Sequence, residues 1–270
     1  MPELAEVEYF RTRWNDGLGQ RVSQVLLHGE KRIFRGSDPT ALERTLRGAT
    51  LLGSETRGKQ IAFRFSKNGW LGIHLGMTGT LRVEPAGFVP GKHDHLVLMQ
   101  RRQALVFGDP RMFGRVRFHR GKDAPTWWSA LPPAVTSPEF TPATLRAVLV
   151  RRVRAPLKAL LLMQEFFPGI GNWMADEILW QARLHPRAVA GSLNGAEQRT
   201  LWRILRKVSR TAMKTIGVDW SDPPDDWLIH QSWTKSGICP QHGTELERAT
   251  IGGRTTAWCR RCQPAPKLRR

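Results

Sequence analysis

The stretch CPQHGTELERATIGGRTTAWCRRC, which begins at Cys239, holds all three cysteines of the 270-residue chain. Cys239 and His242 form one pair with a two-residue gap, and Cys259 and Cys262 form a second pair with the same gap. This layout is typical of a structural zinc site, in which two tight turns supply four tetrahedral ligands. The stretch therefore predicts one structural Zn²⁺ held by three thiolates and one imidazole.

Between the two pairs, Gly252-Gly253 suits the two-residue turn of a β-hairpin and leaves Arg254 at its tip. The fourth ligand is His242 or, alternatively, a water molecule or another side chain; His230 lies outside the pair spacing. An unmetallated hairpin is the other interpretation, but free thiols beside so many charges would be open to oxidation. A closed zinc site contributes folding free energy, so we expect it to present Arg254 rigidly.

The charge of the chain indicates its class of partner. The chain has 42 Lys and Arg residues against 23 Asp and Glu residues, a formal net charge of +19. Such a protein usually binds a polyanion, most commonly nucleic acid; a basic host proteome and a membrane-surface protein are the alternatives. No apolar run approaches the roughly 20 residues of a membrane span. The N-terminus MPELAEVEYF is acidic and unlike a signal peptide, so we expect a cytoplasmic protein.

The N-terminal half has the pattern of a β-sandwich or barrel with flanking helices, and we expect the sandwich. Apolar residues at helical spacing predict a helix over residues 3–14, and Asp38-Pro39 begins a second short helix that Gly48 ends. Short runs separated by Gly, Pro and charged turns predict strands. These runs are Arg21–His28, Gln60–Ser66, Trp70–Leu75, Thr80–Glu84, His95–Met99, Ala104–Phe107 and Arg115–His119. We therefore expect residues 2–120 to form one mostly β domain.

The C-terminal half changes character to helices. Thr141-Pro142 begins a helix, residues 156–164 and 172–184 have helical patterns, and a longer amphipathic helix runs through Leu201, Leu205, Val208, Ala212 and Ile216. The sequence predicts an α+β multidomain protein. Its expected parts after the sandwich are a proline-containing linker (121–140), a helical domain (141–229), a zinc finger (230–263) and a basic tail (264–270).

The turn Pro168-Gly-Ile-Gly-Asn172 lies between two of these predicted helices, and the second of them begins at Asn172. Glycine-rich turns at a helix N-terminus expose free N–H groups that bind phosphate. An ordinary helix–helix turn is the alternative, and the net charge of +19 favours phosphate.

Several segments together resemble the formamidopyrimidine-DNA glycosylase / endonuclease VIII family of base-excision repair enzymes. The resemblance covers nearly the whole chain, with the segments in the family's order and spacing. The resembling segments are the N-terminal signature Pro2–Glu8, two DNA-intercalation segments His74–Gly79 and Asp109–Gly114, a helix–two-turn–helix motif Gly169–Glu177, and a zinc hairpin Gly253–Gln263.

The resemblance implies a DNA glycosylase with an associated AP lyase activity (β,δ-elimination) through a Schiff base on Pro2. Removal of Met1 would expose the Pro2 amine, and an α-amino group has a pKa near 8, well below that of lysine. Glu3 is implied as the acid that protonates the sugar ring oxygen, supported by Glu6. Favourable charge in a first helical turn is the alternative for both carboxylates. Lys59 and Arg254 complete the implied catalytic set.

The resemblance also implies residues that grip the DNA backbone. Lys59 resembles the family's lysine that reaches a phosphate near the lesion, and a solvated strand-end lysine is the alternative. His74, Asn172 and Arg254 complete the implied phosphate clamp, in which an arginine binds phosphate bidentately. A histidine in an apolar strand is more often a satisfied core group, which is the alternative for His74.

A second implied set fills the space that an extruded base leaves. Met77, Arg111 and Phe113 match the family residues that do so, with apolar and aromatic wedges replacing lost stacking and Arg111 donating to the orphaned base. Core packing is the alternative for Met77 and Phe113, although both lie beside glycines in turns.

The chain also departs from the family pattern. Ala5 replaces a usual proline, His242 replaces a usual cysteine, and Trp233 stands where a phosphate-binding tyrosine is usual. Residues 216–230 replace the glycine- and threonine-rich loop that covers 8-oxoguanine. Lesion specificity is therefore open: the intercalating set resembles the branch acting on oxidised purines (8-oxoguanine, formamidopyrimidines), while the missing loop resembles the branch acting on oxidised pyrimidines.

The resulting hypotheses fall into different classes. The first is a bifunctional repair enzyme that acts as a monomer on double-stranded DNA with damaged bases or abasic sites, associated with the nucleoid and not with membranes. A catalytically silent DNA-damage-binding protein of the same fold is the second. The third is a zinc-hairpin protein that binds RNA or the ribosome, which the complete N-terminal signature disfavours.

Overall fold

The computed structural model describes residues 1–266, so residues 267–270 of the expected basic tail lie outside the described part. The chain divides into two compact units, one from Met1 to Leu131 and the other from Pro132 onward. Among the described residues, no helix is both long enough and apolar enough to cross a membrane.

The first unit combines short helices with antiparallel strands. Its helices are α1 (Leu4–Thr12), α2 (Pro39–Leu46) and α3 (Thr126–Ser129). Its strands are β1 (Val22–Leu27), β2 (Leu51–Arg57), β3 (Gln60–Phe65), β4 (Gly69–His74), β5 (Thr80–Pro85), β6 (Asp94–Gln100), β7 (Gln103–Gly108) and β8 (Arg115–Arg120). Helices α1 and α2 correspond to the two helices expected from the sequence, and Asp38 caps α2 by accepting a 3.0 Å hydrogen bond from Ala41 N–H.

Within residues 1–131, the strands form two four-stranded sheets in the orders β1-β6-β7-β5 and β2-β3-β4-β8. Both sheets contribute to one core, because Leu98 and Phe107 of the first pack in the same buried cluster as Phe63 and Ile73 of the second. Trp14, just beyond α1, joins that cluster, and its indole N–H donates to the Arg82 carbonyl at 3.2 Å. The expected β-sandwich is confirmed.

Strand β2 was not among the strands expected from the sequence. It forms the edge of its sheet and pairs only with β3, so its side chains are mostly half-buried or exposed and lack apolar alternation. Its pairing register shifts between Leu51 and Gly53, which further breaks the period of two. The residues of such an edge strand do not by themselves show the alternation that would predict a strand.

The second unit is helical with one hairpin. Its helices are α4 (Pro142–Arg151), α5 (Leu157–Leu161), α6 (Asn172–Gln181), α7 (Gly195–Lys214), α8 (Ile216–Asp219) and α9 (Ile229–Ser232), and its hairpin strands are β9 (Glu247–Ile251) and β10 (Arg254–Trp258). Helix α6 ends three residues earlier than expected because Arg183 takes a positive φ of 56° and Leu184 N–H bonds back to the Leu179 carbonyl.

Two expected boundaries differ from the structure. The segment 121–140, expected to be a linker, contains α3 and buries Val135 and Phe140, because its proline-flanked apolar residues pack rather than face solvent. The zinc-finger segment shares a buried cluster with Trp180 of α6 and Leu228, so it packs on the helical domain instead of forming a separate core. The sequence of these two segments does not show which residues they pack against, so both boundaries depend on the tertiary structure.

Candidate functional site

The N-terminal signature forms the start of α1. Glu3 is the N-cap residue of this helix, and its side chain is 3% exposed. The backbone N–H of Glu3 donates to the Glu6 carboxylate at 3.1 Å. Glu6 therefore fixes the backbone that carries Glu3, which gives it a structural role in addition to the supporting role that the family resemblance implies. Ala5, where a proline is usual, is fully buried in the first unit.

Lys59 lies in the two-residue turn between β2 and β3, where Gly58 takes a positive φ of 59°. His74 ends the neighbouring strand β4 and pairs with Gln60, directly after that turn. The positive charge of Lys59 is close enough to act on His74 electrostatically. The structure thus brings together these two residues, which are distant in sequence.

His74 is held as a neutral imidazole. Burial lowers its pKa to about 4, and the charges of Lys59, Arg117 and Arg35 add to this effect. Its Nδ1 accepts a 3.0 Å hydrogen bond from the Gly76 N–H, which assigns the proton to Nε2. His74 can therefore donate one Nε2–H hydrogen bond to an anion in a strongly positive environment.

The two proposed intercalation segments form adjacent loops. Gly76, with a φ of +65°, leaves no room for a side chain, because a Cβ there would lie 2.5 Å from Gly114 N. The loops meet backbone to backbone and expose Met77 (36%) and Phe113 (43%), with the Arg111 guanidinium 4.8 Å from the Phe113 ring centroid. Met112, which the sequence reasoning did not single out, is 37% exposed beside them. The exposure of Met77 and Phe113 argues against core packing, which was the alternative for both residues.

Asp109 organises both loops, although the sequence reasoning gave it no role. Its carboxylate is completely buried and accepts hydrogen bonds from Thr78 Oγ1 (2.7 Å) and Gly114 N–H (2.7 Å). A longer bond of 3.3 Å comes from Arg111 N–H. One carboxylate thus fixes the chain on either side of Met77 and Phe113.

In the second unit, the glycine turn precedes α6 as expected. Gln164 closes this turn by accepting from Gly169 N–H at 3.1 Å and donating to the Ile170 carbonyl at 2.8 Å. Asn172 begins α6, and its side-chain Nδ2 donates to the Thr255 carbonyl of β10 at 2.9 Å. The turn and the hairpin, far apart in sequence, are therefore bonded to each other.

A buried ion pair lies beneath this contact. Lys158 Nζ, 0% exposed, donates to Asp176 Oδ1 at 2.6 Å and to the Asn172 carbonyl at 2.7 Å. The other Asp176 oxygen accepts from Ala257 N–H at 3.2 Å. Burial raises the pKa of Asp176 to about 6 against the opposing attraction of Lys158. This pair joins α5, α6 and β10, and the sequence reasoning missed it.

The hairpin turn places Arg254 where the sequence analysis expected it. Gly252 and Gly253 have φ values of +61° and +73°, as a two-residue hairpin turn requires. The turn rests against α5, because a Cβ on Gly252 would lie 2.9 Å from Ala159. Arg254 follows immediately and is exposed.

Four metal-ligand side chains meet at the base of the hairpin. The ligand atoms of Cys239, His242, Cys259 and Cys262 all lie within 4.8 Å of one another. The Cys239 and Cys262 sulfurs are 3.7 Å apart, and His242 Nδ1 lies 3.2–3.8 Å from the three sulfurs. A tetrahedral ion with bonds of about 2.3 Å to sulfur would separate two sulfurs by about 3.8 Å. The site can therefore hold one metal ion, with His242 as the fourth ligand.

The segment that departs from the family pattern is folded back on α6. Glu177, fully buried, accepts from Ile229 N–H at 3.1 Å and from Gln181 Nε2 at 2.7 Å. His230 bonds to the carbonyls of Pro223 and Pro224 rather than approaching the cysteines. Trp233 is 65% exposed and lines a small cavity of about 180 Å³ with Asn172.

Known proteins resemble the chain over nearly its whole length. Residues 1–116 match the family model of the formamidopyrimidine-DNA glycosylase N-terminal domain, and residues 131–221 match that of the H2TH domain of the same enzymes. A formamidopyrimidine-DNA glycosylase of Xanthomonas euvesicatoria is 34% identical over 273 residues, covering 97% of this chain and 100% of the relative. One of Thermomicrobium roseum is 36% identical over 288 residues, covering 98% and 99%.

Solved structures give the same result. MutM in complex with DNA containing carbocyclic 8-oxo-G superposes with a TM-score of 0.86 at 26% identity, covering 98% of this chain and 100% of that chain. The formamidopyrimidine-DNA glycosylase of Lactococcus lactis, non-covalently bound to DNA with an AP site, gives 0.86 at 26% identity, covering 97% and 100%. The chain belongs to the formamidopyrimidine-DNA glycosylase family.

Proposed function

We propose that the protein excises oxidised purines from double-stranded DNA and then cleaves the abasic strand through a Schiff base on Pro2. The observation that carries this proposal is the buried Glu3 carboxyl at the N-cap of α1, directly after Pro2, in a chain of this family. The capping bond to Glu6 holds this pair of residues at the end of a rigid helix.

The first step is displacement of the base. With Met1 removed, the Pro2 secondary amine attacks C1′ and the bond from C1′ to the base breaks, so the base leaves with the electron pair and takes up the proton that the Pro2 nitrogen releases. Glu3 donates its proton to the ring oxygen O4′, the sugar opens, and an iminium forms between Pro2 and C1′.

The iminium makes the lyase steps possible. It acidifies the C2′ proton, and loss of that proton with departure of the 3′ phosphate is the β-elimination. A second elimination releases the 5′ phosphate, and water hydrolyses the remaining imine to regenerate the Pro2 amine. Lys59 and Arg254 are the proposed groups that steady the two departing phosphates as their charge develops.

Each unit supplies donors for the DNA backbone. In the first unit these are Lys59 and the Nε2–H of His74. In the second, Arg254 offers its fork of donors and Asn172 a remaining amide hydrogen, because its Nδ2 carries two hydrogens and one bonds to Thr255. Exposed Met77 and Phe113 are suited to fill the space of an extruded base, with Arg111 facing the orphaned partner.

The proposed lesion class rests on the similar proteins, and the proposed metal rests on the chemistry of its four ligands. Relatives named for formamidopyrimidine, and solved neighbours bound to 8-oxo-G or Fapy-dG DNA, favour oxidised purines over oxidised pyrimidines. Three thiolates and one imidazole at tetrahedral spacing favour Zn²⁺, which supplies rigidity to the hairpin rather than chemistry. We also propose that the enzyme acts as a monomer, on DNA in the cytoplasm.

Borohydride trapping tests the catalytic proposal. Met-processed protein should form a covalent adduct with an abasic duplex, and with duplexes containing 8-oxoguanine or formamidopyrimidine. Absence of any adduct would instead support the catalytically silent DNA-binding protein. Faster excision of oxidised pyrimidines than of oxidised purines would overturn the lesion assignment.

Two variants separate the steps. Glu3→Gln keeps the size of the side chain but cannot donate a carboxylic proton, so base release should fall much more than cleavage of a preformed abasic site. Equal loss of both would contradict the role of Glu3. Glu6→Gln is the matched control, because its amide oxygen can still accept from Glu3 N–H.

A further inference from the structure

Helix α7 carries a basic stripe that the proposed catalytic and DNA-binding sets do not use. From Arg199 to its end, every exposed position of this helix is Arg or Lys: Arg199, Arg203, Lys207, Arg210 and Lys214. Their spacing of four, four, three and four residues places them on one face. At about 1.5 Å per residue, this α7 stripe extends over about 22 Å.

The α7 stripe is not a typical solvated helix face. Such faces usually alternate acidic and basic residues, because opposite charges at three- and four-residue spacing stabilise a helix and like charges destabilise it. Here each neighbouring pair along the stripe has the same sign. Acidic residues at some of the same positions would relieve this repulsion, so the uniform positive charge fits an anionic partner.

The stripe does not hold the fold together. On α7, a different arginine makes the structural hydrogen bonds. Arg206 is 8% exposed and donates to the carbonyls of Val135, Ser137 and Phe140. Trp202 N–H also donates to the Phe140 carbonyl at 2.9 Å. Of the stripe residues, Lys207 donates to the Gln181 side chain at 3.1 Å, a bond between exposed groups.

Two open grooves lie along the stripe. Arg146 of α4 and Arg199 line a common groove of about 450 Å³. A second groove of about 360 Å³ lies along Arg203, Lys207 and Arg210. Arginine or lysine side chains line both grooves, and Arg146 adds a positive charge from α4 beside Arg199.

This surface is distinct from the proposed phosphate site of the same unit. Lys207 contacts Gln181, the last residue of α6, whereas Asn172 is the first residue of that helix. The two ends of α6 are separated by about 14 Å along its axis. One phosphate group cannot reach both.

We propose that the α7 stripe binds the phosphate backbone of a second segment of duplex DNA, without sequence preference, and retains the enzyme on undamaged DNA. This inference rests on the proposed function for its choice of DNA as the polyanion. A membrane surface fits less well, because each exposed position from Arg199 to Lys214 carries a cation and none is an apolar residue that could enter a bilayer.

The test compares two triple variants of the full-length, metal-loaded protein. Arg203→Gln with Lys207→Gln and Arg210→Gln removes three stripe charges and keeps helix propensity. Arg101→Gln with Arg102→Gln and Lys122→Gln removes three exposed charges of the first unit as a control. Affinity for a long undamaged duplex is measured over a range of salt concentrations, and excision is measured on a short duplex with one 8-oxoguanine.

The stripe variant should bind the long duplex at least tenfold more weakly, and its slope of log affinity against log salt should fall by about three, about one for each cation removed. Single-turnover excision on the short duplex should not change, and the melting temperature should hold or rise because repulsion is relieved. Arg203→Lys with Arg210→Lys keeps the charges and should keep the wild-type slope.

Three outcomes would overturn the inference: an unchanged slope, an equal change in the control variant, or a loss of binding to RNA or to anionic phosphatidylserine vesicles but not to DNA. Failure of the proposed function is a separate result, because it would leave the wild-type protein without excision on the short duplex.

Discussion

Two buried aspartates organise the two regions that carry the proposed DNA-contacting residues, and they do so by different means. Asp109 in the first unit has a hydroxyl and backbone N–H groups as its neutral partners, and these lie in the two loops that it fixes. Asp176 in the second unit pairs with the buried cation Lys158 and binds one backbone N–H of the hairpin.

The difference teaches what each region needs. Neutral donors compensate one buried carboxylate with hydrogen bonds, and the directions of these bonds fix the shape of adjacent loops. A buried ion pair can join three separate elements, but it is stable only while both charges remain, because an isolated buried charge is strongly unfavourable. We therefore expect the second region to be more sensitive to substitution, to pH and to metal removal.

Metal removal should produce the largest difference between the two regions, because it should affect the second region and leave the first unchanged. A chelator should expose the hairpin β9–β10, because apparent binding free energies of structural zinc in small fingers are about 10 kcal/mol or more. Hydrogen exchange of the hairpin amides should accelerate while the sheets of the first unit stay protected. His242→Cys, which keeps a ligand, is the control; unchanged exchange after chelation would show that the ion pair alone holds the hairpin.

Loss of the ion pair comes next. Asp176→Asn leaves the Lys158 ammonium buried without a counter-charge and should lower the free energy of unfolding by about 3–5 kcal/mol. Urea denaturation measures this. Adding Lys158→Met to the variant removes the second charge and should recover much of the stability. A loss below about 1 kcal/mol would mean that the pair is not what joins these elements.

A change of pH should alter the free energy of unfolding by nearly as much as loss of the ion pair. Burial raises the pKa of Glu177 to about 7, from about 4.3 in an unfolded chain. Between these values the folded chain holds a proton that the unfolded chain releases, so stability falls as pH rises through that window, by about 4 kcal/mol in all.

Glu177→Gln should therefore flatten the dependence of urea stability on pH between about 4.5 and 7 and raise stability at higher pH. Glu165→Gln, at an exposed residue paired with Arg152, is the matched control and should leave the slope as it is. A slope that persists unchanged in the Glu177 variant would assign the response to other groups.

Asp109→Asn should have the smallest effect. The new amide turns a donor toward one of the loop donors, at a cost of about 2 kcal/mol. Proteolysis should increase within residues 109–114, and Thr78→Val, which removes one of the hydrogen bonds, should cost less. A larger loss of stability than that of Asp176→Asn would reverse the ranking of the two regions.

Local patterns in the sequence were sufficient for much of the molecule. Helix α1, the hairpin turn at Gly252-Gly253 and the spacing of the four metal ligands depend on residues a few positions apart, so their signals are complete within a short window. Family motifs added the loops that carry Met77 and Phe113, whose exposure the structure then revealed.

Other features depended on pairing and burial, which the local pattern of residues does not show. Strand β2 is defined by β3, and the neutral state of His74 by burial and by Lys59, Arg35 and Arg117. The basic stripe of α7 was present in the sequence as ordinary polar positions of an amphipathic helix. The fold showed that the five stripe residues are exposed whereas Arg206 is buried, and this distinction defines the stripe.

By itself, the sequence determined the fold class and the residues that can ligate a metal, because these follow from composition, periodicity and short spacings, and its motifs resembled those of one family. Only the tertiary structure decided which charges are buried together, as with Lys158 and Asp176, and which carboxylate fixes two loops, as with Asp109. The physical reason is that charge pairing and desolvation depend on distance in space, which the order of residues along the chain does not specify.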